Sequence, residues 1–90
     1  MISLTQKTAF EIDKDLAGRI AKLRKRKKLS QSALAEKSGV SFGSLKRFEQ
    51  TGDISLQSLT KLAIALGIED ELDQLFSEVP FASIDEVLRD

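Results

Sequence analysis

The sequence predicts an all-α fold of five helices, followed by a short C-terminal tail that carries a further helix signal. Apolar residues recur at intervals of three and four along most of the chain, which is the period of an amphipathic helix. Residues that favour helix N-caps precede several of these segments, and glycines follow them. With one proline in 90 residues and 41% hydrophobic residues, the chain is expected to form one ordered domain with a modest core.

The composition argues against several classes of protein. The sequence has no cysteine and no histidine, so disulfides are impossible and a conventional zinc site is not expected. No apolar run approaches the roughly 20 residues of a membrane helix, and the N-terminus lacks a signal-peptide pattern. Because no nucleophile-base pair and no phosphate-binding loop are present, we expect neither catalysis nor a cofactor. The expected location is the cytoplasm.

The charges are divided unevenly along the chain. Residues 1–52 contain twelve Lys/Arg and five Asp/Glu, a net charge of +7, whereas residues 53–90 contain two and nine, a net charge of −7. This asymmetry indicates that one end faces a polyanion and that the other end serves another purpose.

The first helix is predicted from about residue 9 to residue 27. Residues 1–7 form an N-terminal arm that is either disordered or a short strand, and the domain is expected to occupy residues 8–79. Thr8 and Glu11 are spaced as in a capping box, which begins the helix. Its inward stripe contains Ile12, Leu16, Ile20 and Leu23.

A run of five cations, residues 24–28, closes this helix. Two interpretations are open, because cations stabilise a helix C-terminus and also contact the phosphates of nucleic acids. We favour phosphate contact for Lys25, Lys27 and Lys28.

Residues 30–50 predict two short helices joined by a tight turn. Ser30 is placed to cap the first helix, and Gly39 stands where that helix must end. Leu34 and Ala35 form its apolar pair.

The second short helix has two chemically different sides. Ser41 is placed to cap it, and Leu45 and Phe48 lie three positions apart on one apolar face. A short helix with an apolar back and a cationic front suits docking into a DNA major groove. The candidates for DNA contact on this front are Ser41, Phe42, Gly43, Ser44, Lys46 and Arg47.

Two further helices are predicted in the C-terminal half. A turn at residues 51–53 leads to Ser55, which caps a helix over residues 56–66. A fifth helix over residues 69–79 ends before Pro80. The inward stripe of the fourth helix contains Leu56, Leu59, Leu62, Ala63 and Leu66, and the apolar face of the fifth contains Leu72, Leu75, Phe76 and Val79.

The tail, residues 80–90, contains a second capping-box pattern from Ser83 to Glu86. Its apolar residues suit either a partner protein or a fold back over the fifth helix. These residues are Ile84, Val87 and Leu88.

Residues 15–67 resemble the helix-turn-helix of the phage Cro/C1 repressors, the Xre family. The resemblance covers the two short helices together with the basic helix before them and the apolar helix after them. It implies a sequence-specific DNA-binding regulator that acts as a repressor. In this family the fifth helix often forms a dimer contact. The alternative is that its apolar face only closes the core of the monomer. The matching residues are Gln31, Leu34, Ala35, Gly39, Val40, Ser41, Leu45 and Glu49.

The resemblance implies roles for the residues of the second short helix. Arg47 would bond two acceptors of a guanine, and Lys46 would contact a base or a phosphate. Ser44 would donate or accept a hydrogen bond, and Ser41 would add a phosphate contact to its cap. The Phe42 ring would press on a thymine methyl or lie on the protein surface.

The resemblance also implies roles for Gly43, Gln31, Arg24 and Glu49. Gly43 lacks the base-reading side chain of some family members, which would let the helix sit deeper in the groove. Gln31 would bond a phosphate, or is simply exposed in its first turn. Arg24 is expected to pair with Glu49 rather than with DNA. The family pattern Glu-Asn-Gly is one residue longer here, at residues 49–52, which alters the loop.

A homodimer on an inverted-repeat operator in double-stranded DNA is expected, because paired recognition helices about 34 Å apart read palindromes. Residues 43–49 and 54–59 are also similar to HipB-like antitoxins, which accompany HipA-like kinase toxins. An autoregulating antitoxin is therefore a second hypothesis. The third is a helix-turn-helix scaffold that only contacts proteins.

Overall fold

The computed structural model describes residues 6–78 and contains five helices, which confirms the all-α prediction. No strand occurs within this part of the chain. In chain order the helices are α1 (Ala9–Arg26), α2 (Gln31–Ser38), α3 (Phe42–Thr51), α4 (Leu56–Leu66) and α5 (Glu69–Asp73). Most of the predicted arm and the whole predicted tail lie outside the described residues.

Hydroxyl side chains begin the first four helices, as predicted. In each case the hydroxyl oxygen accepts a hydrogen bond from the backbone N–H three residues later, at 3.0–3.1 Å. At α1 the reciprocal bond of a capping box is also present, because the Thr8 N–H donates to the Glu11 carboxylate. The capping residues are Thr8, Ser30, Ser41 and Ser55.

The core lies where the first four helices meet. α1 packs against α3, and α2 packs against both α3 and α4, so that these helices bury one shared apolar cluster. α5 packs on α4. Burial of each large apolar side chain stabilises the fold by about 1.5–3 kcal/mol. The largest fully buried side chains are Phe48, Leu34, Leu45, Leu62 and Leu66.

The prediction that the inward stripes are buried is wrong for two residues. Ile12 is 52% exposed and Leu56 is 73% exposed. The buried positions of α1 are Ala17, Ile20 and Arg24, and because a helix turns by about 100° per residue, Ile12 points roughly 100° away from that line. Leu56 lies in the first turn of α4, on the side that faces α5.

The fifth helix is also shorter than predicted, because it ends at Asp73 rather than at Val79. The N–H groups of Leu75 and Ser77 donate to carbonyls three residues earlier, which is the pattern of a turn. Phe76 has a φ of +60°, outside the range of an α-helix. A short helix depends on packing, and the side chains of Leu75 and Phe76 are exposed here.

Candidate nucleic-acid interface

α3 is held by its apolar back and exposes its opposite side. Leu45 and Phe48 are buried in the core, and Val40 in the preceding turn is buried with them. Every residue of the predicted front is exposed. The structure thus brings the six candidates together on the outer side of one short helix. They are Ser41, Phe42, Gly43, Ser44, Lys46 and Arg47.

The turn between α2 and α3 is fixed by local hydrogen bonds. Gly39 ends α2 in the left-handed conformation, with a φ of +78°. The Ser38 hydroxyl donates to the Ala35 carbonyl at 3.2 Å and accepts the Val40 N–H at 3.1 Å. These contacts set the angle at which α3 leaves α2, and therefore the direction in which its front points.

A buried ion pair anchors α3 to α1. The Arg24 guanidinium donates from Nε to Glu49 Oε2 at 2.8 Å and from Nη2 to Glu49 Oε1 at 2.9 Å. Its Nη1 donates to the Leu29 carbonyl at 2.8 Å. Both charged side chains are only 9% exposed. The structure therefore places Arg24 in the protein interior, where it is not available to nucleic acid.

The surroundings of Glu49 lower the pKa of its carboxyl below the ordinary value of 4.5. Burial raises this pKa, but hydrogen bonds from Arg24 and Gln31 and the positive charge of Arg24 lower it by more. Glu49 is therefore ionised at neutral pH, and the ion pair persists there.

Gln31 takes part in the same cluster. Its Nε2 donates to Glu49 Oε1 at 3.0 Å, and the residue is half-buried in the first turn of α2. An amide nitrogen carries two N–H groups, so the second can still meet a phosphate. Arg24, Gln31 and Glu49, which we name the Glu49 cluster, tie α1, α2 and α3 together.

The basic run at the end of α1 divides between two environments. Arg24 is buried in the Glu49 cluster, whereas residues 25–28 are exposed. Lys28 has a φ of +59° in the turn that leads towards α2. The three predicted phosphate ligands therefore lie in solvent. They are Lys25, Lys27 and Lys28.

Two hydroxyls at the start of α3 bond to each other. Ser41 Oγ donates to Ser44 Oγ at 2.8 Å and accepts the Ser44 N–H at 3.1 Å. Because the Ser41 proton is used in this way, Ser44 is the better hydroxyl donor to a ligand. The Phe42 ring is exposed beside them, where a thymine methyl could pack against it.

Arg47 pairs with Asp53, for which the sequence pattern predicted only a place in a turn. Its Nη2 lies 2.9 Å from Asp53 Oδ2, and the two side chains are 71% and 64% exposed. α3 runs through Thr51, the first residue of that predicted turn. The Thr51 hydroxyl donates to the Arg47 carbonyl at 2.8 Å and accepts the Asp53 N–H at 3.1 Å. Sequence reasoning missed this pairing; its signal was an acid placed just beyond the helix-ending glycine.

Gly52, which lies between Thr51 and Asp53, packs tightly against α1. Its φ is +81°, and a Cβ atom there would lie 2.7 Å from the carbonyl carbon of Asp13. A side chain would meet both left-handed strain and this overlap. The loop that carries Asp53 is therefore held in place by α1 as well as by α3.

A second exposed surface, the α4–α5 groove, is mainly apolar. It encloses about 610 Å³, with Leu56 and Ile64 of α4 on one side and Leu72 of α5 on the other. Phe76 at its edge is 86% exposed. Apolar surfaces of this kind are typical of sites for protein contact.

Within residues 6–78, acidic side chains form no cluster of three that could hold a metal ion. In the same range no helix combines the length and apolar character needed to cross a membrane.

A family model described as helix-turn-helix matches residues 20–72, more than half of the chain. The matched span begins in α1 and ends in α5, and it contains the Glu49 cluster and the whole of α3. No curated protein matches the chain. On the family match, the chain belongs to the Cro/C1-type helix-turn-helix family, a family of DNA-binding transcription regulators.

Proposed function

We propose that this protein is a repressor that binds an inverted-repeat operator as a homodimer, with α3 as its recognition helix. The observation that supports this most is the two-sided character of α3. Its back is buried through Leu45 and Phe48, while Lys46, Arg47 and the hydroxyl of Ser44 project from its front. Such a helix can enter a major groove without exposing its apolar face.

Affinity and sequence choice would come from different residues. Lys25, Lys27 and Lys28 neutralise phosphates and release counterions, which makes binding steeply dependent on salt. Gln31 adds a phosphate contact from the start of α2. Arg47 reads the O6 and N7 acceptors of a guanine.

The remaining positions of α3 have narrower roles. Lys46 contacts a base edge or a phosphate, and Ser44 donates to an acceptor in the groove. Ser41 caps α3 and lies close to the DNA backbone. The Phe42 ring packs on a thymine methyl. Gly43 carries no side chain and lets the helix approach the bases closely.

A homodimer would use the α4–α5 groove. The groove exposes the apolar side chains of Leu56, Ile64 and Phe76, and a second copy of the chain would cover them. Two-fold pairing places two recognition helices about one helical turn of DNA apart, which matches an inverted repeat.

Selection from a pool of random duplexes with the full chain, followed by affinity measurements, tests the proposal. We expect the selected sequence to be palindromic. Lys46→Ala and Arg47→Ala each weaken binding by about 5- to 150-fold, which corresponds to one groove contact. Lys61→Ala, an exposed lysine of α4, is the matched control and leaves binding unchanged.

The salt dependence of these variants separates base contacts from phosphate contacts. Loss of a phosphate contact lowers the salt slope by about one, whereas loss of a base contact does not. If no sequence is enriched and no duplex binds at low salt, the proposal is wrong and a scaffold that only contacts proteins becomes the better account.

We also propose that this protein is the antitoxin that neutralises a HipA-like kinase toxin. The support for this role is the similarity of residues 43–49 and 54–59 to HipB-like antitoxins, together with the open α4–α5 groove. Co-expression with the product of the neighbouring gene tests it. We expect a kinase-like protein to co-purify and to be released by deletion of residues 80–90; a neighbour without kinase character, or no complex, argues against it.

A further inference from the structure

An exposed acid lies against the proposed recognition helix, α3. Asp53 Oδ2 is 2.9 Å from Arg47 Nη2. Carboxylates repel DNA phosphates, so an acid at this position weakens non-specific binding. Its presence beside the base-reading arginine therefore calls for a reason other than affinity.

We propose that Asp53 is a positioning residue that orients Arg47 for a guanine in the major groove. This inference rests on the proposed function, because it requires α3 to read bases. A guanidinium has five N–H donors, and a contact at Nη2 leaves enough of them for the two guanine acceptors. An arginine held in one orientation loses less side-chain entropy on binding than a free one.

The backbone around Asp53 is built to hold it. The Thr51 hydroxyl bridges the Arg47 carbonyl and the Asp53 N–H, which ties the acid to the helix turn that carries its partner. Gly52 is pressed against the Asp13 backbone of α1. The carboxylate therefore starts from a fixed place rather than from a mobile loop.

The pair also stands beside a hydroxyl-lined recess between α3 and the start of α4. The recess encloses about 230 Å³ and is lined by Ser44, Arg47, Asp53, Ile54, Ser55 and Ser58. Arg47 and Asp53 thus belong to the same recess wall. The ion pair with Asp53 therefore keeps the guanidinium beside this recess, where it is less free to reach neighbouring phosphates.

The proposal makes affinity and discrimination move in opposite directions. Removing the carboxylate frees Arg47 and takes away a negative charge, so binding to any duplex becomes tighter. The same change loosens the orientation of Arg47, so the preference for guanine falls. A residue that is only a surface charge would raise affinity and leave the preference unchanged.

The test measures the affinity of Asp53→Ala for the selected operator, for a non-operator duplex, and for operators in which single guanines are replaced by 7-deazaguanine. That replacement removes the N7 acceptor. The guanine read by Arg47 is the one whose replacement weakens wild-type protein but not Arg47→Ala. At that guanine we expect Asp53→Ala to lose roughly two- to fivefold of the discrimination, the size of effect of an exposed ion pair, out of the 5- to 150-fold of a bidentate contact.

Two further variants separate position from charge. Asp53→Asn removes the charge but keeps an oxygen acceptor for Arg47, so non-operator affinity rises as in Asp53→Ala while most of the guanine preference is retained. Glu36→Ala removes an exposed acid of α2 and leaves the preference unchanged. Thermal unfolding checks that each variant is folded.

Three results overturn the inference. If Arg47→Ala removes the guanine preference and Asp53→Ala does not, Asp53 does not position Arg47, and the proposed function stands. If Arg47→Ala weakens all duplexes equally, Arg47 contacts phosphate, and the inference fails while DNA binding remains. If Arg47→Ala changes no affinity at all, Arg47 contacts neither base nor phosphate and the inference fails; the proposed role of α3 fails with it only if Lys46→Ala is also without effect.

Discussion

The Arg24 guanidinium and the Glu49 carboxylate face each other across the contact between α1 and α3, joined by hydrogen bonds of 2.8 and 2.9 Å. Arg24 also holds the Leu29 carbonyl, and Glu49 accepts the Gln31 amide. One ion pair thus fixes α1, the helix before the helix-turn-helix, and the end of α3 in a single geometry.

Breaking this pair should cost far more than breaking an exposed one. Glu49→Ala leaves the Arg24 charge without its partner in a buried place, and we expect a loss of about 3–5 kcal/mol in the free energy of unfolding, measured with urea. Arg47→Ala breaks the exposed pair with Asp53 and should cost less than about 1 kcal/mol. Equal losses in the two variants would show that the buried pair has no special weight.

Acid should destabilise the protein through Glu49. Its pKa is lowered in the folded state, so the unfolded chain binds the proton more readily. This contribution to stability is fully present above pH 4.5 and is lost as the pH falls through the folded-state pKa. Urea unfolding between pH 7 and pH 3 should show the decline, and Glu49→Gln should decline less steeply. A wild-type protein as stable at pH 3 as at pH 7 would contradict the linkage.

Gly52 should tolerate alanine less well than Gly67, although both have positive φ. Gly67→Ala meets only left-handed strain, about 1–2 kcal/mol, because no atom lies within 4 Å of the added Cβ. Gly52→Ala also meets the backbone of Asp13 and should lose roughly 1–3 kcal/mol more. Thermal and urea unfolding of the two variants compare them directly; equal losses would mean that α1 yields to the new side chain.

The α4–α5 groove should control association without controlling folding. Leu56→Ser and Phe76→Ser alter exposed side chains, so the fold should persist while sedimentation velocity shifts from dimer to monomer at micromolar concentration. Ile12→Ser changes an exposed apolar residue of α1 and should leave the dimer intact. A wild-type monomer, with or without operator, would contradict the dimer.

Local signals predicted the fold well. The caps at Thr8, Ser30, Ser41 and Ser55 follow from side-chain chemistry within four residues, and they hold because the same hydroxyls satisfy the free amides at each helix start. The burial of Leu45 and Phe48 follows from their spacing in the same way.

Sequence periodicity failed where exposure depends on distant neighbours. Leu56 and Phe76 fit helical stripes, but no element among the described residues covers them, so they form an open groove. The end of α5 at Asp73 follows from the same lack of packing.

The two ion pairs of α3 could not be predicted from local residue patterns either. The Arg24–Glu49 pair was expected only because of the resemblance, since 25 residues separate its members. The Arg47–Asp53 pair depends on how the longer loop turns at Gly52, and no local residue pattern predicted the geometry of that loop.

The most direct test of α3 as the recognition helix is a map of backbone amide NMR shifts on titration with the selected duplex, which a chain of 10.0 kDa allows. We predict that the largest changes fall on residues 41–47, with smaller ones at Gln31 and residues 25–28, and that the α4–α5 groove changes little. Changes centred on that groove, with residues 41–47 unaffected, would contradict the account.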